Sequence, residues 1–112
     1  MEKPIVDFNT ILVRSLEEVV TDVLGKRVLP PFFSYLAAHY HIPLDEIPYQ
    51  FETVLDTMEE LFGAGGRTIG KLVVRRFYAK MGLELTESNR PLIDYVERAK
   101  TLLQNRDSVG HP

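Results

Sequence analysis

The sequence has no cysteine. Disulfide staples, thiolate zinc knuckles and thiol nucleophiles are therefore excluded, and the fold must be held by an apolar core. No apolar run approaches the ~20 residues needed to cross a bilayer. The opening Met1-Glu2-Lys3-Pro4 lacks the apolar stretch of a signal peptide, so the cytoplasm is the expected location. Nor is there a large excess of either charge: 13 Lys+Arg stand against 16 Asp+Glu, for a net −3. Such a balance argues against coating nucleic acid in bulk while leaving room for one basic face. What is present is ordinary for one soluble domain: 112 residues, 45% hydrophobic and 26% charged, with mean hydropathy −0.08. A chain of this length buries roughly 65% of its unfolded surface, enough for one core and not for two.

Helical periodicity recurs along the chain. Phe8, Ile11, Leu12, Leu16, Val19, Val20 and Val23 fall at the spacing of one helix face, with Arg14, Glu17, Glu18, Thr21 and Asp22 opposite. Gly25, followed by Lys26 and Arg27, supplies a stop, so the spacing predicts a helix from Phe8 to Leu24. Pro30-Pro31 opens a second helix, because a first turn tolerates the missing N–H. Its apolar residues Phe32, Phe33, Tyr35, Leu36 and Tyr40 cover more than half its girth, which predicts a place between other helices. Ile42-Pro43 ends it, and Leu44 to Ile47 reads as one tight turn before Pro48 starts the next helix.

The third helix carries the stripe Phe51, Val54, Leu55, Met58, Leu61, Phe62 against an outer face of Glu52, Thr53, Asp56, Thr57, Glu59 and Glu60. Gly63 fits a left-handed cap. A fourth helix from Arg67 to Met81 places Ile69, Leu72, Val73, Val74, Phe77, Tyr78 and Met81 on two faces, the pattern of a central element. Asn89 and Pro91 start a fifth by cap and first-turn logic. Its stripe is Leu92, Val96, Ala99, Leu102 and Leu103, with Tyr95 alongside. Aperiodic residues 106–112 are expected to fray. The expected architecture is all-α: one compact bundle of five helices, the fourth at its centre.

Charge is unevenly spread. Residues 1–66 carry a net −7, whereas residues 67–83 hold Arg67, Lys71, Arg75, Arg76 and Lys80 and no acid. Arg67, Lys71 and Arg75 recur at i+4 and line one edge of the fourth helix. Such an edge serves a phosphate-bearing ligand or an acidic partner, or it pairs internally with the acidic faces of helices one and three. The Gly63-to-Thr68 corner lacks the preceding strand and following lysine of a phosphate loop. Gly66 and Gly70, four apart, instead make a flat patch where another helix backbone can approach. His39 and His41 lie near Asp45 and Glu46, but two residues apart on a helix point about 200° from one another, which sets them against a shared metal. No Ser, His and Asp fall at a spacing that joins them. The reading assigns no catalytic, cofactor or metal residues.

Three stretches together resemble a known family. Tyr40-His41-Ile42-Pro43 with Ile47-Pro48, the run Phe51…Leu55…Leu61-Phe62-Gly63-Ala64-Gly65, and Phe77-Tyr78…Met81-Gly82-Leu83 look like the Nitrosopumilus output domain family. The resemblance covers residues 9–85; Pro30-Pro31 interrupts an expected longer helix, and the segment from Thr86 onward adds one. It implies a small all-helical archaeal domain acting as a signal-transduction output or interaction module, with no established reaction to carry over. The functional expectation is thus a non-catalytic protein-interaction or signalling-output module, acting on a protein partner or as a homodimer. The alternative is a small nucleic-acid- or anion-binding protein that uses the basic edge.

Overall fold

A computed structural model describes residues 8–86 and 90–109, with side chains of the last helix described as far as Leu103. Five α-helices occur among them: α1 (Phe8–Leu24), α2 (Leu29–Tyr40), α3 (Phe51–Phe62), α4 (Ala64–Met81) and α5 (Leu92–Val109). Two 3-10 segments, Lys26–Val28 and Leu44–Gln50, flank α2, and no strand is found among the described residues. The cap assigned to Asn89 and the residues beyond Val109 lie outside that range.

α1 ends at Leu24 as its periodicity predicts and buries Leu12, Ser15, Leu16, Val19 and Val20. Ser15 is tolerated in the core because its hydroxyl donates to the Ile11 carbonyl at 2.8 Å. Val23, on the same face, is left half exposed in the last turn, where the apolar stripe outruns its cover. A similar exchange occurs on α3. Thr57, placed on the outer face by its polarity, is buried and donates to the Thr53 carbonyl at 2.7 Å. Leu61 takes an exposed position instead.

α4 packs against α1, α3 and α5 and buries Ile69, Val73, Val74, Phe77, Tyr78 and Met81. It is the central rod that its two apolar faces require. It also begins three residues earlier than its periodicity indicates. Gly63 sits at φ 62°, ψ −139°, a combination outside the left-handed helical well and open in practice to glycine. Its N–H closes α3 on the Glu59 carbonyl at 2.8 Å, and its own carbonyl accepts from Gly66 at 2.9 Å. One residue therefore ends α3 and starts α4.

At the glycine patch the backbones of α3 and α4 come into close contact. A Cβ on Gly66 would stand 2.0 Å from the Met58 carbonyl oxygen and 2.9 Å from the Glu59 nitrogen, both backbone atoms of α3. At Gly70 the nearest neighbours are the side-chain ends of Leu92 and Leu55. α5 closes the other flank with Tyr95, Val96 and Ala99 in the core. The buried Tyr78 hydroxyl donates to the Tyr95 carbonyl at 2.6 Å, and burial pushes its phenol up from the ordinary value. Tyr78→Phe should lower unfolding free energy by about 0.5–1.5 kcal/mol, measured by urea titration. An unchanged midpoint would show that apolar packing alone seats α5. The helix runs to Val109 rather than ending near Asn105, since no proline or glycine interrupts it before Gly110.

Two expectations need correction. α2 is peripheral, not enclosed: of its 12 residues only Phe32 and Leu36 are buried. Its girth is apolar by count, but two of its large residues are tyrosines, whose hydroxyls reach the surface. Pro48 does not start α3 either. It lies inside the 3-10 segment Leu44–Gln50, and α3 begins at Phe51. Without an N–H, Pro48 makes no α-helical bond, and Gln50 at φ −124°, ψ 36° breaks the path. Between α2 and this segment the chain turns at His41, φ 56° and ψ 39°. That left-handed conformation is uncommon for a side-chain-bearing residue, though histidine is among those enriched there.

Candidate functional site

The five bases of α4 do not form one surface. Arg76 follows Arg75 by about 100° around the axis, so it faces α1, where it meets Asp22 at 3.0 Å and Glu18 at 3.5 Å. Lys80, one turn on, meets the same Glu18 at 3.2 Å. Arg67 turns to α3 and lies 3.8 Å from Glu59. Lys71 and Arg75 are exposed on the helix between these groups. Partly exposed pairs of this kind contribute roughly 0–1 kcal/mol each. Their larger effect is electrostatic: carboxylates of α1 and α3 offset the charges of Arg67, Arg76 and Lys80, which weakens the field these side chains offer a phosphate backbone.

The glycine corner offers its amides inward. Gly66 and Arg67 N–H groups both point at the Gly63 carbonyl, at 2.9 and 3.4 Å. The two histidines take different roles, since α2 ends between them. His39 stacks on Tyr35 with ring centroids 4.0 Å apart and planes inclined by 17°, while His41 forms the left-handed turn. Among the described residues no group of three or more His, Asp or Glu is placed to hold a metal ion.

Two features emerge that periodicity does not mark. The first is a clasp between α2 and α3. Tyr40 and Tyr35 donate to the two oxygens of Glu60, at 2.6 and 2.9 Å. The bond from Tyr40, then that from Tyr35, holds the Glu60 carboxyl below its ordinary range. The same bonds to Glu60 raise both phenols. A lowered carboxyl stabilises the fold above its ordinary pKa, and this contribution is lost as pH falls through the lowered value. A raised phenol does the reverse: its contribution is present below about 10 and lost as pH rises beyond. The stability gap between wild type and Glu60→Ala should therefore be greatest at neutral pH and close at both limits. Denaturant titration across pH checks this, and a gap independent of pH would show the clasp to be ornamental.

The second feature is the 3-10 ridge Leu44–Gln50. Ile47 anchors it in the core, and this turns Leu44 and Tyr49 outward, 53% and 73% exposed. A groove lies on each side. One, of about 280 Å³, is lined by Phe8, Tyr49, Phe51, Ile93 and Val96 together with Glu52, Glu97 and Lys100. The other, of about 320 Å³, is lined by Val13, Leu44 and Pro48 together with Arg14, Glu17 and Asp45. Asn9 and Pro48 border both, so the grooves adjoin along the ridge. The Asn9 amide donates to the Tyr49 hydroxyl at 3.0 Å, which pins an aromatic ring that is otherwise in solvent. In the sequence the only signal is an aromatic residue beside proline in a short polar connection.

Among the described residues no helix is long and apolar enough to cross a membrane. Comparison of the chain with protein-family models, curated proteins and solved structures gave no match to any of the three.

Proposed function

We propose that the chain is a non-catalytic protein-interaction module that docks through the surface around Tyr49, in keeping with the signalling-output role implied by its family resemblance and with the cytoplasmic setting expected from its opening residues. The observation that carries this reading is the ridge itself. Among the described residues the two most exposed large apolar side chains, Tyr49 and Leu44, stand on one short element between adjoining grooves. Soluble domains scatter such residues singly; gathered on a formed concavity they are the composition of an interface centre. The aromatic is also held in place before any partner arrives, which lowers the ordering cost of association.

A photo-crosslinking residue in place of Tyr49 tests the reading. Irradiation in source lysate should give discrete protein adducts, absent when the same residue replaces Glu84, which is also exposed. Light scattering of the purified chain then distinguishes a foreign partner from a second copy, since a homodimer would double the 12.8 kDa mass. A monomer that yields the same adducts from both positions contradicts the proposal.

A further inference from the structure

We infer that the ridge takes one class of partner: an amphipathic helical segment whose apolar face seats on Tyr49 and Leu44 and whose flanks are basic. This rests on the docking role proposed above and adds the chemistry of the occupant. The charge lining the two grooves argues for it. Glu52 and Glu97 border one groove against Lys100, and Glu17 and Asp45 border the other against Arg14. Glu46, exposed on the ridge, adds to the acidic side. Acids thus outnumber bases around both grooves. A segment with lysine or arginine beside its apolar stripe gains on approach and register, while one with acidic flanks is repelled. The shape fits as well. The two concavities meet at Asn9 and Pro48, with Tyr49 lining one and Leu44 the other, and so accept side chains a turn or two apart on one helix face, the spacing at which a helix presents its anchors.

The test uses the full chain and two synthetic helical peptides with identical leucine faces, one flanked by lysine and arginine and the other by glutamate. Fluorescence anisotropy should show the basic peptide binding at least tenfold more tightly, with the advantage shrinking as salt rises. Glu52→Gln with Glu97→Gln should reduce that advantage several-fold. Tyr49→Ala should weaken the basic peptide about tenfold, and all these side chains are exposed, so circular-dichroism melts of the variants should overlay that of wild type. Equal affinity for both peptides, preference for the acidic one, or no binding of either overturns the inference. The two readings fail separately. Adducts at position 49 without the basic preference leave a docking surface with a different partner chemistry, whereas absence of specific adducts removes the docking role itself.

Discussion

Gly66→Ala is expected to destabilise the protein by roughly 3 kcal/mol, at the upper end of the range for overpacking. In a solvated helix the same change would stabilise by up to about 1 kcal/mol, because alanine loses less backbone freedom. The sign reverses here because of what the new methyl meets. It would stand 2.0 Å from the Met58 carbonyl oxygen and 2.5 Å from its carbon, and those atoms belong to the hydrogen-bonded backbone of α3. No rotamer change relieves the clash, so α3 and α4 must separate where their backbones meet. Two neighbours serve as controls. A Cβ on Gly65 has nothing within 4 Å, so Gly65→Ala should be neutral or slightly stabilising. A Cβ on Gly70 meets only the ends of flexible leucine side chains, so Gly70→Ala should fall between the two. Urea midpoints in the order Gly65→Ala, Gly70→Ala, Gly66→Ala, from most to least stable, would establish that backbone proximity decides the series. A Gly66→Ala midpoint equal to wild type would show that α3 and α4 do not meet there.

Phe77→Ala should cost about 3–5 kcal/mol, a large share of the ~5–15 that stabilises a domain. Phe77 is completely buried in the C-terminal half of α4, and the edge-to-face contact with Phe8, at 5.0 Å and 82°, adds a specific aromatic pairing. Removing the ring leaves a cavity between α1 and α4 that a rigid pair of helices cannot close. The melting temperature should fall by more than about 10 °C. A fall of only a degree or so would place Phe77 outside the core and leave α4 without its central role.

How much of this was legible beforehand differs from residue to residue. The bounds of α1 could be read because an i, i+3, i+4 stripe ends at a glycine, and both signals act within a few residues. The Gly66–Gly70 patch was legible for the same reason: small residues four apart can only flatten a helix face. The peripheral seat of α2 was not, since counting Tyr35 and Tyr40 as apolar ignores hydroxyls that find Glu60 some twenty residues away. The division of the basic edge was half legible. The i+4 recurrence of Arg67, Lys71 and Arg75 marks an edge, but grouping Arg76 and Lys80 with it passes over the 100° step from Arg75 to Arg76, and nothing in the spacing shows that Glu18 and Asp22 of α1 stand opposite Arg76. Least legible was Tyr49. Its exposure follows from Ile47 pointing inward and Pro48 holding a 3-10 path, and its fixed position depends on Asn9, forty residues earlier. Periodicity reports the face of a regular helix and carries no information about a seven-residue turn.

The most direct test of the central claim, that α4 is the rod around which the bundle is assembled, is native-state hydrogen exchange followed residue by residue. Amides from Val73 to Tyr78 should exchange only through global unfolding, while those of α2 open at much lower free energy. Exchange of Val73–Tyr78 as fast as that of α2 would contradict that architecture.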